Sequence, residues 1–311
     1  DDFRSPLTFG VDSSLDLEAL PGAALLRVRC QCGQCAFVAH AVGSEGGPPA
    51  LARCYCEPCR RYHVAAFGAY VAAEREGIPR AGQRVRAYEH ACEACGVVER
   101  LFCGRCFSVL ATVPREEAWA GRALLALGCV EDRSIPRALA LHWQCAPEEW
   151  AQASCPTWWT AVPTTPSGPS QRVLRGGCAC GGAAFEARSG RELQTQHCYC
   201  NLCRRLSGSA AQTWVPVGRD GFRWTCDDTV ELRRTTGHGQ RHVCTRCGGT
   251  LTIVYDSQPD TVWPAAGSLE DSSLPEDVGG SLCRAIHICC SMMQPWHRLP
   301  VDGLPRLRYP G

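Results

Sequence analysis

Twenty-four cysteines among 311 residues constrain this chain more than any other feature. Thiols at that density form either the disulfide framework of a secreted protein or the ligand sets of metal sites in a reducing compartment. Spacing separates the two. The cysteines fall in Cys-x-Cys and Cys-x-x-Cys pairs, such as Cys30 and Cys32, Cys103 and Cys106, Cys178 and Cys180, and Cys244 and Cys247. A Cys-x-Cys pair is poorly placed to bridge itself, and a disulfide framework spreads its partners. Close pairs instead aim several sulfurs at one centre, as zinc requires. Zinc is therefore the expected cofactor. A reducing intracellular compartment follows, either the cytoplasm or an organelle after removal of a targeting peptide. Asp1 in place of Met is expected of a processed or trimmed chain.

The cysteine clusters recur in order. Gly177-Cys178-Ala179-Cys180-Gly181 answers Arg29-Cys30-Gln31-Cys32-Gly33, and Cys198-Tyr199-Cys200-Asn201-Leu202-Cys203 answers Cys54-Tyr55-Cys56-Glu57-Pro58-Cys59. Cys244-Thr245-Arg246-Cys247 answers Cys103-Gly104-Arg105-Cys106, and Gly267-Ser268-Leu269-Glu270-Asp271 answers Gly128-Cys129-Val130-Glu131-Asp132. The offset drifts only from 148 residues (Cys32 to Cys180) to 139 (Glu131 to Glu270). Chance does not order four matches so closely, so the chain is a tandem repeat. Its expected parts are an irregular lead-in over 1–23, a first domain over 24–160, a Pro/Ser/Thr-rich linker over 161–171 and a second domain over 172–311. Within each copy, short β-branched and aromatic runs such as Leu25–Val28, Phe67–Val71 and Leu251–Tyr255 read as strands. Helical periodicity is weak outside single turns such as Arg115–Trp119. The architecture is expected to be mainly β, pinned by metal.

Bulk properties exclude several functions. A net charge of +1 argues against a broad nucleic-acid or anionic-membrane surface. All 32 basic residues are Arg, so Schiff-base lysine chemistry is ruled out. No apolar run approaches the ~20 residues that a transmembrane helix needs.

The clusters differ in what they can do. Cys178, Cys180, Cys244 and Cys247, and their counterparts Cys30, Cys32, Cys103 and Cys106, are two pairs each and can close a four-thiolate structural site. The triplets Cys54, Cys56, Cys59 and Cys198, Cys200, Cys203 fill three corners of a tetrahedron. An open fourth corner is the form of a catalytic zinc site, where a bound thiol is held as thiolate. Alternatively, a fourth protein ligand such as His63 or His197 makes either triplet purely structural. The Arg pairs that follow, Arg60-Arg61 and Arg204-Arg205, can fork onto the carboxylates of an anionic ligand or be solvated surface charge.

The ordered motifs Gly-x-Cys-x-Cys-Gly, Cys-x-Cys-x-x-Cys-Arg and Cys-x-x-Cys-Gly resemble the glutathione-dependent formaldehyde-activating enzyme family, also called the centromere protein V domain. The second copy follows the pattern through Cys178, Cys180, Cys198, Cys200, Cys203, Arg204, Ser207-Gly208, Cys244, Cys247 and Gly248. The resemblance implies two tandem zinc-binding β-tent domains with about two zincs each, one structural and one exchangeable. It also implies a carbon–sulfur lyase type of activity, in which glutathione or another small thiol adds to formaldehyde or another small aldehyde. Cys198, Cys200, Cys203 and Arg204 are then the catalytic candidates. The first copy departs from the pattern: His63-Val64 replaces Ser207-Gly208, and Phe107-Ser108 replaces Gly248-Gly249. It adds Cys35, Cys92 and Cys95, which can make an extra zinc site, a redox pair or buried thiols. Activity is therefore expected mainly in the second domain. The competing reading is a non-catalytic, zinc-stabilised interaction module within a larger assembly. A thiol-redox or metal-buffering role is a third.

Overall fold

The computed structural model describes residues 7–9, 24–42, 51–82, 84–92, 96–131, 171–190, 194–273, 284–294, 296–297, 299 and 304–308. In the first copy β1 (Leu7–Phe9), β2 (Leu25–Arg29), β3 (Ala36–His40) and β4 (Leu51–Cys54) lead into a short helix, α1 (Glu57–His63). Then follow β5 (Gly68–Glu74), β6 (Val85–Cys92), β7 (Gly96–Cys103), β8 (Val109–Pro114) and β9 (Arg122–Ala126). One seven-stranded sheet runs in the order β1-β4-β5-β9-β8-β7-β6, with β2 and β3 as a separate hairpin. β8, and all of β5 except Glu74, are buried, which suits their largely apolar sequences near the sheet centre. β2 alternates, with Leu26 and Val28 inward and Leu25 in solvent. Within the lead-in read as irregular, Leu7–Phe9 pairs antiparallel with the edge of β4. Its Leu-Thr-Phe composition suits an edge strand.

The second copy has β10 (Gln171–Gly177), β11 (Ala184–Gly190), β12 (Gln194–Cys198) and α2 (Asn201–Ser207). It continues with β13 (Gln212–Trp214), β14 (Val217–Gly218), β15 (Phe222–Cys226), β16 (Val230–Thr236) and β17 (Gly239–Cys244). β18 (Thr250–Tyr255), β19 (Gln258–Pro264) and β20 (Arg284–Ile288) complete it. Its strands form three sheets: β10-β11-β15, β13-β12-β20 and β14-β19-β18-β17-β16. The chain is mainly β, in the tandem layout read from the repeats. At seven residues, α1 and α2 are too short for a helical period to show in sequence. No helix among the described residues is long and apolar enough to cross a membrane.

The two copies pack on one another reciprocally. A 3-10 turn of the first copy, Leu127–Cys129, meets α2, and its counterpart in the second copy, Ala266–Ser268, meets α1. The Gly128 N–H donates to Gly208 O at 3.0 Å, and Arg204 Nη1 donates to Gly128 O at 3.0 Å. On the other side Arg60 forks onto Asp271, with Nη1–Oδ1 at 2.9 Å and Nη2–Oδ2 at 2.5 Å. Ser209 Oγ donates to Phe67 O at 2.7 Å. A continuous apolar core runs through both copies, from Leu26 and Phe67 to Tyr199, Ala211 and Trp296.

Both helices end in a left-handed residue, Gly208 (φ 70°) in the second copy and Val64 (φ 46°) in the first. The same exchange occurs after the last cysteine pair, where Gly248 (φ 82°) is matched by Phe107 (φ 61°). The first copy thus keeps both turns with side chains that strain them. Its compensation is burial, since Val64 is 1% exposed and Phe107 stacks on Phe102 at 6.1 Å between ring centroids.

Candidate metal centres

Two turns build each four-cysteine cluster. Cys30 and Cys32 sit in the turn closing the β2–β3 hairpin, where Cys30 N–H donates to Cys35 O at 2.9 Å and Cys35 N–H to Cys30 Sγ at 3.2 Å. Cys103 and Cys106 occupy the β7–β8 turn, where Cys103 N–H donates to Ser108 O at 2.9 Å. The hydrogen bond from Gln31 N–H to Ser108 Oγ, 3.0 Å, ties the turns together. The second copy repeats this with Cys178 N–H to Ala183 O and Cys244 N–H to Gly249 O, at 2.9 and 2.8 Å. In each set the four Sγ atoms lie within 4.8 Å of one another, as do the three of each triplet.

The triplets form where a strand hands over to a helix. Cys198 ends β12, Cys200 caps α2 by accepting from Cys203 N–H at 3.4 Å, and Cys203 lies in its first turn. Cys54, Cys56 and Cys59 make the same arrangement at β4 and α1. The donor sets fit zinc. Four sulfurs about 2.3 Å from a tetrahedral ion stand about 3.8 Å apart. The observed separations are 3.6 Å (Cys30–Cys32), 3.7 Å (Cys32–Cys103), 3.4 Å (Cys178–Cys180) and 3.5 Å (Cys180–Cys244). All are far outside disulfide length. One sulfur in three of the clusters lies well below the ordinary thiol range because its neighbours donate to it. These are Cys30 beside Cys103, Cys244 beside Cys178, and Cys200 beside Cys198. Hydrogen bonds to neighbouring sulfurs, and burial, push other sulfurs of the same clusters up, as at Cys103, Cys178 and Cys198, so a divalent cation would be needed to hold all of them as thiolates.

Each triplet is backed by a buried arginine that sequence reading passed over. In β7, Arg100 donates Nη2–H to Cys59 Sγ at 3.2 Å, and in β17, Arg241 donates Nη2–H to Cys203 Sγ at 3.7 Å. Both are at most 1% exposed. Their cationic carbons lie over aromatic rings, Tyr62 at 4.6 Å and Trp214 at 5.8 Å. Burial opposes charge on Arg100, but Cys59, Tyr70 and Tyr62 together outweigh it, so the guanidinium stays cationic. The signal was present: each Arg stands three residues before the first cysteine of the last pair, Arg100 to Cys103 and Arg241 to Cys244.

Other candidates have different surroundings. Arg204 is 1% exposed and donates to Gly128 O and Asn201 Oδ1, so it sits at the contact between copies. Arg60 likewise meets Asp271 of the second copy. Neither His63 nor His197 joins a cysteine cluster among the described residues. His63 is bound through Nδ1 to Ser207 O at 2.6 Å and through Nε2 to the Tyr70 hydroxyl at 2.7 Å, while burial pushes its pKa down to about 4. His197 Nδ1 meets Thr213 Oγ1 at 2.8 Å. His287 Nδ1 meets the Tyr199 hydroxyl at 3.0 Å. Cys35 is a buried thiol donating to Arg84 O at 3.1 Å. The Cys92 side chain, Cys95 and most of the linker lie outside the described residues.

The family model described as glutathione-dependent formaldehyde-activating enzyme matches residues 25–146 and again 173–292. A curated Halomonas elongata protein named "Putative glutathione-dependent formaldehyde-activating enzyme" is 31% identical over 110 residues, covering 33% of this chain and 69% of that one. A crystal structure of a Rhodobacter sphaeroides protein aligns with 35% of this chain and 98% of its own length, at 22% identity and a TM-score of 0.27. With two successive stretches matched, each carrying one four-cysteine cluster and one triplet, the chain belongs to the glutathione-dependent formaldehyde-activating enzyme family.

Proposed function

We propose that this chain is a zinc protein with about two metals in each of two units, spanning 24–160 and 172–311, and that its triplet centres carry a carbon–sulfur lyase type of activity. The substrate thiol, glutathione or a relative, adds its sulfur to the carbon of formaldehyde or another small aldehyde. The thiol proton passes to the carbonyl oxygen, giving an S-hydroxymethyl product, and the reverse step is the lyase direction. The observation carrying this is the gathering of Cys198, Cys200 and Cys203 at the head of α2, with the buried Arg241 guanidinium on Cys203 Sγ. A bound zinc would supply the lowered thiol pKa that makes a thiolate available near neutral pH. The chain's own residues do the rest. Cys200 caps the helix that holds Cys203, Arg241 offsets the negative charge of the sulfur set, and Arg204 fixes α2 against the first copy. The second unit is the better candidate because Gly208 and Gly248 keep its turns unstrained, and a reducing intracellular compartment suits free thiols.

The test is exchange spectroscopy with carbon-13 formaldehyde and glutathione. Interconversion should quicken with zinc-loaded chain and lose most of that gain in Cys200→Ser. An unchanged rate with full metal content would reject the activity.

A specific observation favours a second reading, a zinc-stabilised interaction module within a larger assembly. Arg60 and Arg204, the residues best suited by sequence to grip a ligand carboxylate, are committed to the contact between copies. Full zinc content without thiol-dependent change at the metal would select that reading.

A further inference from the structure

The second copy's triplet has a fourth sulfur beside it that motif spacing concealed. β20 runs parallel to β12, with Ile288 opposite Cys198, and Tyr199 N–H donates to Ile288 O at 3.1 Å. This register carries the next residue, Cys289, to the strand end where the triplet begins. There the chain turns left-handed at Cys289 (φ 58°, ψ 35°), and its Sγ comes to 4.0 Å from Cys198 Sγ. The residue is 4% exposed. Cys198, Cys203 and Cys289 share one buried cluster, with Cys200 packed against it. A separation of 4.0 Å is close to the edge of a zinc–sulfur tetrahedron, about 3.8 Å, and because Cys289 Sγ is not within 4.8 Å of all three triplet sulfurs, it would have to draw in toward the others to complete that tetrahedron. Among the described residues, the first copy's triplet meets the Tyr70 hydroxyl, 3.7 Å from Cys59 Sγ.

We propose that Cys289 is the fourth sulfur ligand of the second copy's triplet centre, which makes that site closed by protein at rest. This rests on the reading of the triplets as zinc centres. With a metal held there, an incoming thiol would have to replace Cys289, which would leave as a neutral thiol on taking up the incoming proton, and no electrons would be transferred. Four thiolates leave a divalent centre with two excess negative charges, and Arg241 against Cys203 offsets one of them. Cys289 thereby decides which thiols gain entry, because only those that bind better than a tethered neighbour displace it.

Loading the full chain with cadmium-113 tests this, because each bound ion gives its own resonance and four-sulfur sites separate from three-sulfur ones. Wild-type chain should show at least three four-sulfur resonances, and Cys289→Ser should show one fewer while the others stay in place. An unchanged count in the variant overturns the proposal. Only two resonances in total would mean that the triplets hold no metal, which instead rejects the reading on which it rests. Cys289→Gly, suited to the left-handed backbone, repeats the measurement if the serine variant misfolds.

Discussion

Substituting alanine for Gly128 tests the packing between the copies directly. A Cβ at Gly128 would stand 2.3 Å from Arg204 O, 2.5 Å from Gly208 C and 2.7 Å from Gly208 Cα, all backbone atoms. Ordinary contact needs the turn and helix end to part by about 1 Å, and overpacking of this kind costs about 1–3 kcal/mol. The same movement stretches two hydrogen bonds of 3.0 Å, Gly128 N–H to Gly208 O and Arg204 to Gly128 O. Their loss adds about 1–3 kcal/mol. Against this, removing a glycine from the unfolded chain returns about 0.4–1 kcal/mol. The net expectation is a loss of about 2–4 kcal/mol, or a fall in Tm of about 5–10 °C on the scaling for large domains. Gly267→Ala should behave alike, since its Cβ would meet Ala65 N at 2.2 Å and Ala65 O at 2.5 Å. Gly190→Ala, with open space around it, is the control and should stay within about 0.5 kcal/mol. Scanning calorimetry on zinc-loaded full chain reads all three. A Tm for Gly128→Ala equal to or above wild type would refute the close packing of turn on helix.

Further outcomes follow from the sites. Arg241→Met should weaken zinc binding at the second triplet about 10–100-fold in chelator competition, because the hydrogen bond and charge on Cys203 disappear; unaltered affinity would remove Arg241 from the site's electrostatics. Stripping zinc, or Cys178→Ser, should unpin the β10–β11 hairpin from the β17–β18 turn and lower Tm by at least about 10 °C. His63, held down at about 4 by burial, takes up its proton more readily in the unfolded chain. Its contribution is complete above pH ~6.5 and is lost as pH falls from there toward 4, amounting to about 3 kcal/mol. Urea titrations of wild type and His63→Asn across that window should therefore show a shallower pH slope in the variant, and equal slopes would contradict the assignment.

Much of this protein was written locally. Spacing within Cys30-x-Cys32 or Cys198-x-Cys200-x-x-Cys203 is set by the few bonds between neighbours, so the ligand groups and their repetition could be read directly. Alternating or unbroken apolar runs likewise marked β2, β5 and β18 as strands, because side-chain direction follows the pleat. What escaped was non-local. Arg100 and Arg241 are charged residues in strands, and only the fold shows that each faces a sulfur rather than water. Arg204 looked free to bind a ligand until α2 was seen against Gly128. The proline-rich linker carries no information on docking, whereas the reciprocal turn-on-helix contacts and shared core decide it. Cys289 stands 86 residues beyond Cys203, and no motif joins them. Only the parallel pairing of β20 with β12 brings that sulfur to the triplet, because strand register converts distance along the chain into adjacency across a sheet.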